Sequence, residues 1–263
     1  MMNFTTIQLE TQEGVAYLRL NRPEKLNSFT AKMHTELRYA LDCVQQQREL
    51  RTLVLTGVGR SFSAGQDLAD IPMHEDKPVD MENLIEENYK PLILRLQNLR
   101  VPTIAAVNGI AAGAGASVAL ACDLVIATQS AYFLQAFSKI GLIPDTGGTW
   151  FLPQRVGMAR AMGLALLAEK LPADTAAKWG LIWQCVEDDK FESTVENLAK
   201  QLAKAPTKAL VRTRQAMRAS FSHTLEQQLS MEAGFIRDLG VSADFIEGVK
   251  AFNEKRPAKF TGE

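Results

Sequence analysis

Residues 103–127 read TIAAVNGIAAGAGASVALACDLVIA, with one charged side chain, Asp123. A stretch this bare of charge has to be buried, in lipid or in protein. Asn108 and Asp123 interrupt it, and the span between them is too short to cross a bilayer as a helix. It is built from Ala and Gly rather than Leu and Phe. The reading is therefore a small-residue core helix over 113–121, packed closely against its neighbours. The strands VPTIAAVNG and DLVIAT flank it.

Patterns elsewhere alternate in kind. FTTIQLE (4–10) and VAYLRLN (15–21) alternate apolar and polar residues about TQEG and predict a β-hairpin. Residues 31–48 have helical periodicity through Met33, Leu37, Ala40, Leu41 and Val44. RTLVLTG predicts a buried strand, 80–99 a helix and AYFLQ a short strand. Strand and helix alternate to about residue 190, which predicts an α/β fold. From 191 onward the pattern is nearly all helical. The expected division is an α/β core over 1–200 and a C-terminal helical region over 201–263. In that region Lys204, Lys208, Arg212, Arg214 and Arg218 read as a solvated helix face.

Composition removes several classes of function. A net charge of −1 sets up no field for nucleic acid or an anionic membrane. Three scattered cysteines and three histidines, His34, His74 and His223, form no metal-ligand spacing, so no metal is expected. The first residues, MMNFTTIQLE, carry no leader pattern, and the expected location is the cytoplasm. There is no GxSxG elbow and no phosphate-binding GxxxxGK loop, and GAGAS at 113–117 lacks the third glycine of a dinucleotide fingerprint.

Three segments carry candidate chemistry. RSFSAGQDL (60–68) and NGIAAGAGAS (108–117) each follow a strand. Either they are tight turns in close packing, or their free amides clamp one carbonyl oxygen and stabilise an enolate. Spacing alone leaves both open. KIGLIPDTGG (139–148) holds a lone carboxylate, Asp145, whose local reading is an N-cap for the helix of TWFLPQ.

The ordered pieces LNRPEKLNSF, SFSAGQDL, PTIAAVNGIAAGAGASVALACDLVIA, IGLIPDTGGTWFLPQRVG, AAKWGLI and EGVKAFNEKRPAKF span nearly the whole chain. Together they resemble the crotonase, or enoyl-CoA hydratase/isomerase, superfamily. The resemblance implies a spiral of ββα units with a C-terminal helical trimerisation region. It implies an acyl-CoA substrate, a homotrimer or dimer of trimers, and no separate cofactor. It assigns the oxyanion amides to Gln66 and Ala114, and a coenzyme A path to Lys25, Leu26 and the run Ala64, Gly65, Asp67 and Leu68. Ile110, Gly113, Phe137 and Leu142 would contact substrate, and Lys259 and Phe260 a neighbouring subunit's ligand. Hydratases resembling the chain hold water between two glutamates; those positions here are Ser117 and Phe137. Asp145 is then the acid left to move a proton, and it also remains compatible with a cap. Burial without a cation would raise its pKa. Ile140 and Trp150 are expected to join Phe137 and Leu142 in an apolar chamber. Within the family, MHTELRYAL, GQDLAD, AFSKIGLIPDTGGTW and RAMGLALL are most similar to isomerases of phenylacetate degradation that turn a ring 1,2-epoxyphenylacetyl thioester into an oxepin. Pathway enzymes are then expected partners. Aliphatic Δ3,Δ2-enoyl-CoA isomerisation and a thioester-binding scaffold are the alternatives.

Overall fold

The computed structural model describes residues 3–71 and 80–263; His74 lies outside them. β1 (Ile7–Gln12) and β2 (Val15–Leu20) form the expected antiparallel hairpin, turning at Glu13–Gly14 with positive φ at both residues. α1 (Ala31–Gln46) follows, its N-terminus capped by Thr30, whose hydroxyl accepts the Met33 amide. β3 (Thr52–Gly57) then pairs parallel with β2, and β4 (Ser61–Ser63) leaves for a second sheet. After 80, α2 (Met81–Leu84) runs through a widened π-helical stretch, Ile85–Tyr89, into α3 (Lys90–Asn98).

The charge-poor segment resolves into four short elements rather than a span. They are β5 (Thr103–Val107), β6 (Ile110–Ala112), α4 (Ala114–Leu120) and β7 (Leu124–Thr128). Every residue of α4 is buried. Small side chains make that possible: a Cβ on Gly115 would lie 2.5 Å from the Ser63 carbonyl oxygen and 2.8 Å from the Ser63 Cβ. The helix can approach β4 this closely only with glycine there. β8 (Tyr132–Leu134), α5 (Gly148–Leu167), β9 (Leu171–Pro172), α6 (Ala173–Lys178) and β10 (Gln184–Val186) complete the core. α5 is broken at Gly157, whose φ of 76° and ψ of 164° are not helical.

Successive units each send one strand to a six-stranded sheet, β1-β2-β3-β5-β7-β10, and one to a four-stranded sheet, β4-β6-β8-β9. This is a mixed α/β spiral of ββα units. From β2 to β10 the large sheet is parallel and covered on both faces, which is why TLVLTG, TIAAV and LVIAT are nearly continuous apolar runs. Met33, Leu37, Ala40, Leu41 and Val44 of α1 are buried in the main core. A second apolar layer sets Phe191, Val195, Ala199 and Ala203 of α7 (Phe191–Ala203) against Val15, Val54, Ile104 and Ile126.

The helices α8 (Thr207–Ala219), α9 (Leu225–Leu239) and α10 (Ala243–Asn253) end the chain. Here one expectation fails. Arg214 and Arg218 are not on a solvated face. Arg214 is buried and donates to the carbonyls of Val101 and Leu99 and, at 3.0 Å, to Asp123. Arg218 donates to Gln97 O and, at 2.9 Å, to the other Asp123 oxygen. The lone acid of the small-residue segment is thus the anchor of α8.

Candidate active site

Asp145 lies on the loop between a 3₁₀ turn, Ala136–Ile140, and α5. It does not cap the helix. Thr146 and Gly147 take positive φ, 55° and 83°, so Gly147 occupies the cap position and Asp145 sits two residues further out. Only its backbone carbonyl serves the helix, accepting Gly148 N at 2.7 Å. The side chain is free for other work. Its Oδ1 accepts from Thr146 Oγ1 at 2.7 Å. Burial pushes the carboxyl pKa above the ordinary aspartate range, the Thr146 hydroxyl offsets this in part, and no cation among the described residues pulls it down. The same carboxylate, ionised, is a stronger base than one in water.

The loop is held from behind. Ser117 Oγ donates to the Asp145 carbonyl at 3.2 Å, from a fully buried position on α4. The two positions where a hydratase resemblance expects glutamates therefore hold a buttress, Ser117, and a buried ring, Phe137.

Asp145 lines a cavity with Ala64, Gly65, Gln66, Leu68, Gly113, Ala114, Phe137, Ile140 and Leu142. The two glycine loops meet here. A Cβ built on Gly65, which has a φ of +92°, would lie 2.9 Å from Ala112 O and 3.3 Å from Ala114 N. Phe29 brackets the first loop, its amide donating to Gly65 O at 2.8 Å and its carbonyl accepting Asp67 N at 2.9 Å. In that parallel bridge the Gln66 amide points away from Phe29, and no described residue accepts it. Ala114 opens α4, so its amide has no partner within the helix. Two donors beside an apolar space that holds the Asp145 carboxylate can polarise a carbonyl and move a proton next to it.

The remaining sequence candidates lie elsewhere. Lys25 and Leu26 sit at the turn after β2, and Ile110 in β6. Asp67 pairs with Arg22 at 2.9 Å; burial opposes its ionisation, but the bonds from Arg22 and the Ala69 amide hold its pKa below the usual carboxylate range. Lys259 is exposed, and the Phe260 ring lies over α10 at Gly248, where an added Cβ would be 3.5 Å away. Trp150 does not join the chamber: half-exposed, it packs edge-on to Phe151 and Phe221. The motifs did not reveal Tyr89, Ile71, Met81, Leu84 and Ala136, which line the cavity. Tyr89 is buried and donates to Gln66 Oε1 at 2.7 Å. In sequence it is one aromatic on a helical apolar face, indistinguishable from core.

The comparisons agree with this geometry. The family model for enoyl-CoA hydratase/isomerase matches residues 10–263. An Escherichia coli 1,2-epoxyphenylacetyl-CoA isomerase is 49% identical over 264 residues, covering 100% of both chains. A Rhodobacter capsulatus protein named "Probable enoyl-CoA hydratase" is also 49% identical, over 99% of this chain and 100% of its own. The crystal structure of an enoyl-CoA hydratase from Bacillus anthracis superposes with a TM-score of 0.92 at 28% identity, covering 98% of this chain and 100% of that one. The spiral fold, the paired amide loops and the full-length match lead to one conclusion: the chain is an enzyme of the enoyl-CoA hydratase/isomerase family.

Proposed function

We propose that this enzyme isomerises ring 1,2-epoxyphenylacetyl-CoA to the seven-membered oxepin thioester, in phenylacetate catabolism. The observation that carries this reading is that Asp145 is the one carboxylate among the described residues lining the cavity, with Ser117 and Phe137 at the two positions where the hydratase resemblance expects acids. Hydration must activate a water and deliver a proton, work for two acid–base groups. Isomerisation leaves the substrate's composition unchanged, so one base can remove a proton and return one. The amides of Gln66 and Ala114 hold the thioester oxygen as it takes negative charge. Asp145 takes the proton from the adjacent carbon. Phe137, Ile140, Leu142 and Leu84 offer an apolar wall to a ring. The name and full-length identity of the Escherichia coli relative support this substrate. The same base and amides serve migration of a 3-enoyl-CoA double bond, the second reaction in the proposal.

The rest of the reading follows the family. Lys25, Leu26, Asp67 and Ile110 line the coenzyme A path. The helical region 201–263 joins subunits into a trimer or a dimer of trimers, and the exposed Leu225, Ile236, Phe245 and Phe252 are the apolar surface such an assembly would cover. Lys259 and Phe260 reach the neighbouring subunit's ligand. The setting is the cytoplasm, beside other enzymes of the pathway; among the described residues no helix is long and apolar enough to cross a membrane. The test is a panel of epoxyphenylacetyl-, 3-enoyl- and 2-enoyl-CoA, run on wild type and Asp145→Asn. The epoxide should be consumed fastest by wild type and hardly at all by the variant. Fast turnover of 3-enoyl-CoA with an untouched epoxide would move the assignment to aliphatic isomerisation.

A further inference from the structure

Behind the first amide loop lies a buried polar–aromatic cluster that proton transfer by Asp145 does not use. Tyr89, at the end of the π-helical stretch, is 1% exposed. Its ring packs edge-on to Phe29, with centroids 5.8 Å apart, and to His34, at 4.4 Å. Phe29 in turn stacks on His34 at 5.4 Å. Burial, then the Arg38 charge, pushes the His34 imidazole down to about 3, so it stays neutral and serves as one side of an aromatic cage. Out of this cage one polar atom emerges toward the cavity, the Tyr89 hydroxyl, and it donates to Gln66 Oε1 at 2.7 Å. The same terminal amide is tied a second time, since Gln66 Nε2 donates to the Asp67 carbonyl at 3.1 Å.

We infer that Tyr89 is a positioning residue for the reaction: by gripping the Gln66 side chain from a rigid cage, it fixes the direction of the Gln66 backbone amide toward the thioester oxygen. A side chain whose terminal amide is held by two hydrogen bonds, one of them to the next residue's carbonyl, leaves its own backbone few torsions to explore, and hydrogen-bond strength at an oxyanion falls quickly with misdirection. The cage keeps the phenol in the donor role. Burial, followed by the charges of Asp145 and Asp70, holds the Tyr89 hydroxyl well above the ordinary phenol range, so it remains protonated as Asp145 cycles. Residue 89 ends a π-helical widening, an irregularity frequently placed at functional sites.

This inference rests on reading the Gln66 amide as a carbonyl-holding donor, and the test separates the two. Phenylacetyl-CoA with a ¹³C-labelled thioester carbonyl serves as the probe, its infrared band followed on binding to full-length enzyme. Wild type should shift the band to lower wavenumber. Tyr89→Phe keeps the ring in its cage and removes the donor; it should lose about half or more of that shift. Its kcat on epoxyphenylacetyl-CoA should fall about 10- to 50-fold with KM within about threefold, a fraction of the loss expected for deleting an oxyanion donor. Gln66→Met removes the acceptor and retains the backbone amide, so it should give the same loss. The double variant should be no worse than either single one. A band shift in wild type that Tyr89→Phe and Gln66→Met leave intact overturns the positioning role, even if both variants melt earlier. No band shift in wild type overturns the amide reading beneath it, and the inference with it.

Discussion

Alanine at Gly65 tests the amide loops most directly, because the structure sets the size of the disturbance. The new Cβ would start 2.9 Å from Ala112 O and 3.3 Å from Ala114 N. A relaxed carbon–oxygen contact is about 3.3 Å or longer, so the two loops must part by at least roughly 0.4 Å. The φ of +92° adds a conformational cost of about 1–2 kcal/mol for any residue with a Cβ. Strain and overlap together should lower stability by about 2 kcal/mol, a drop in Tm of about 4–8 °C for a chain of this size. Parting the loops misaims both donors at once. Losing one such donor outright costs about 10²- to 10³-fold, so a partial misalignment should cost kcat about 10- to 100-fold. Initial rates on the epoxide thioester give kcat, calorimetry with phenylacetyl-CoA gives affinity, and a thermal melt gives stability. Affinity should stay within about fivefold, because donors of this kind act chiefly as charge develops on the oxygen in the transition state. A Gly65→Ala enzyme with kcat within threefold of wild type and an unmoved Tm would refute the claim that these loops form one donor pair.

Further outcomes follow from the same contacts. Asp145→Asn should lower kcat by about 10³-fold or more with little change in thioester affinity, read by the same rate and calorimetric assays. Activity should rise with pH along a single acid limb whose midpoint lies above the ordinary aspartate range, because Asp145 must be ionised to act and burial raises its pKa. The stability linkage runs the other way. A carboxyl with a raised folded pKa favours folding most below its unfolded pKa and loses that advantage as pH rises through the folded value, so Asp145→Asn should melt at or above the wild-type temperature at pH 7 and lose this edge near pH 4. Asp123→Ala leaves the buried Arg214 and its neighbour Arg218 without their carboxylate and should cost about 3 kcal/mol in urea unfolding.

How much of this was legible in sequence depends on the range of the signal. The parallel core was legible because strands covered on both faces have to be apolar throughout, and TLVLTG, TIAAV and LVIAT are. The close approach of α4 to β4 was legible in the run of Ala and Gly. Signals that depend on distant partners were not. Arg214 and Arg218 fall at helical spacing like any exposed pair, and the acid that takes them in lies 91 and 95 residues earlier. Asp145 looked suited to a cap because an acid before an apolar helix usually caps it. Two successive left-handed residues, Thr146 and Gly147, carried the cap position past it. Tyr89 was hidden for a different reason: its role depends on one hydrogen bond to a loop 23 residues away, which no periodicity records.

The Ser117 hydroxyl also limits how such an enzyme can change its chemistry over evolutionary time. The hydroxyl that supports the Asp145 loop stands at a position where the hydratase resemblance expects a glutamate. It has no room to spare: a Cβ on Gly148 would already lie 3.0 Å from it, and the residue is fully buried. A glutamate there would push the Asp145 loop away and remove its tether in the same step. A single substitution at this position therefore abandons one reaction before acquiring the other. A change toward hydration at this position has to be accompanied by a new support for the Asp145 loop.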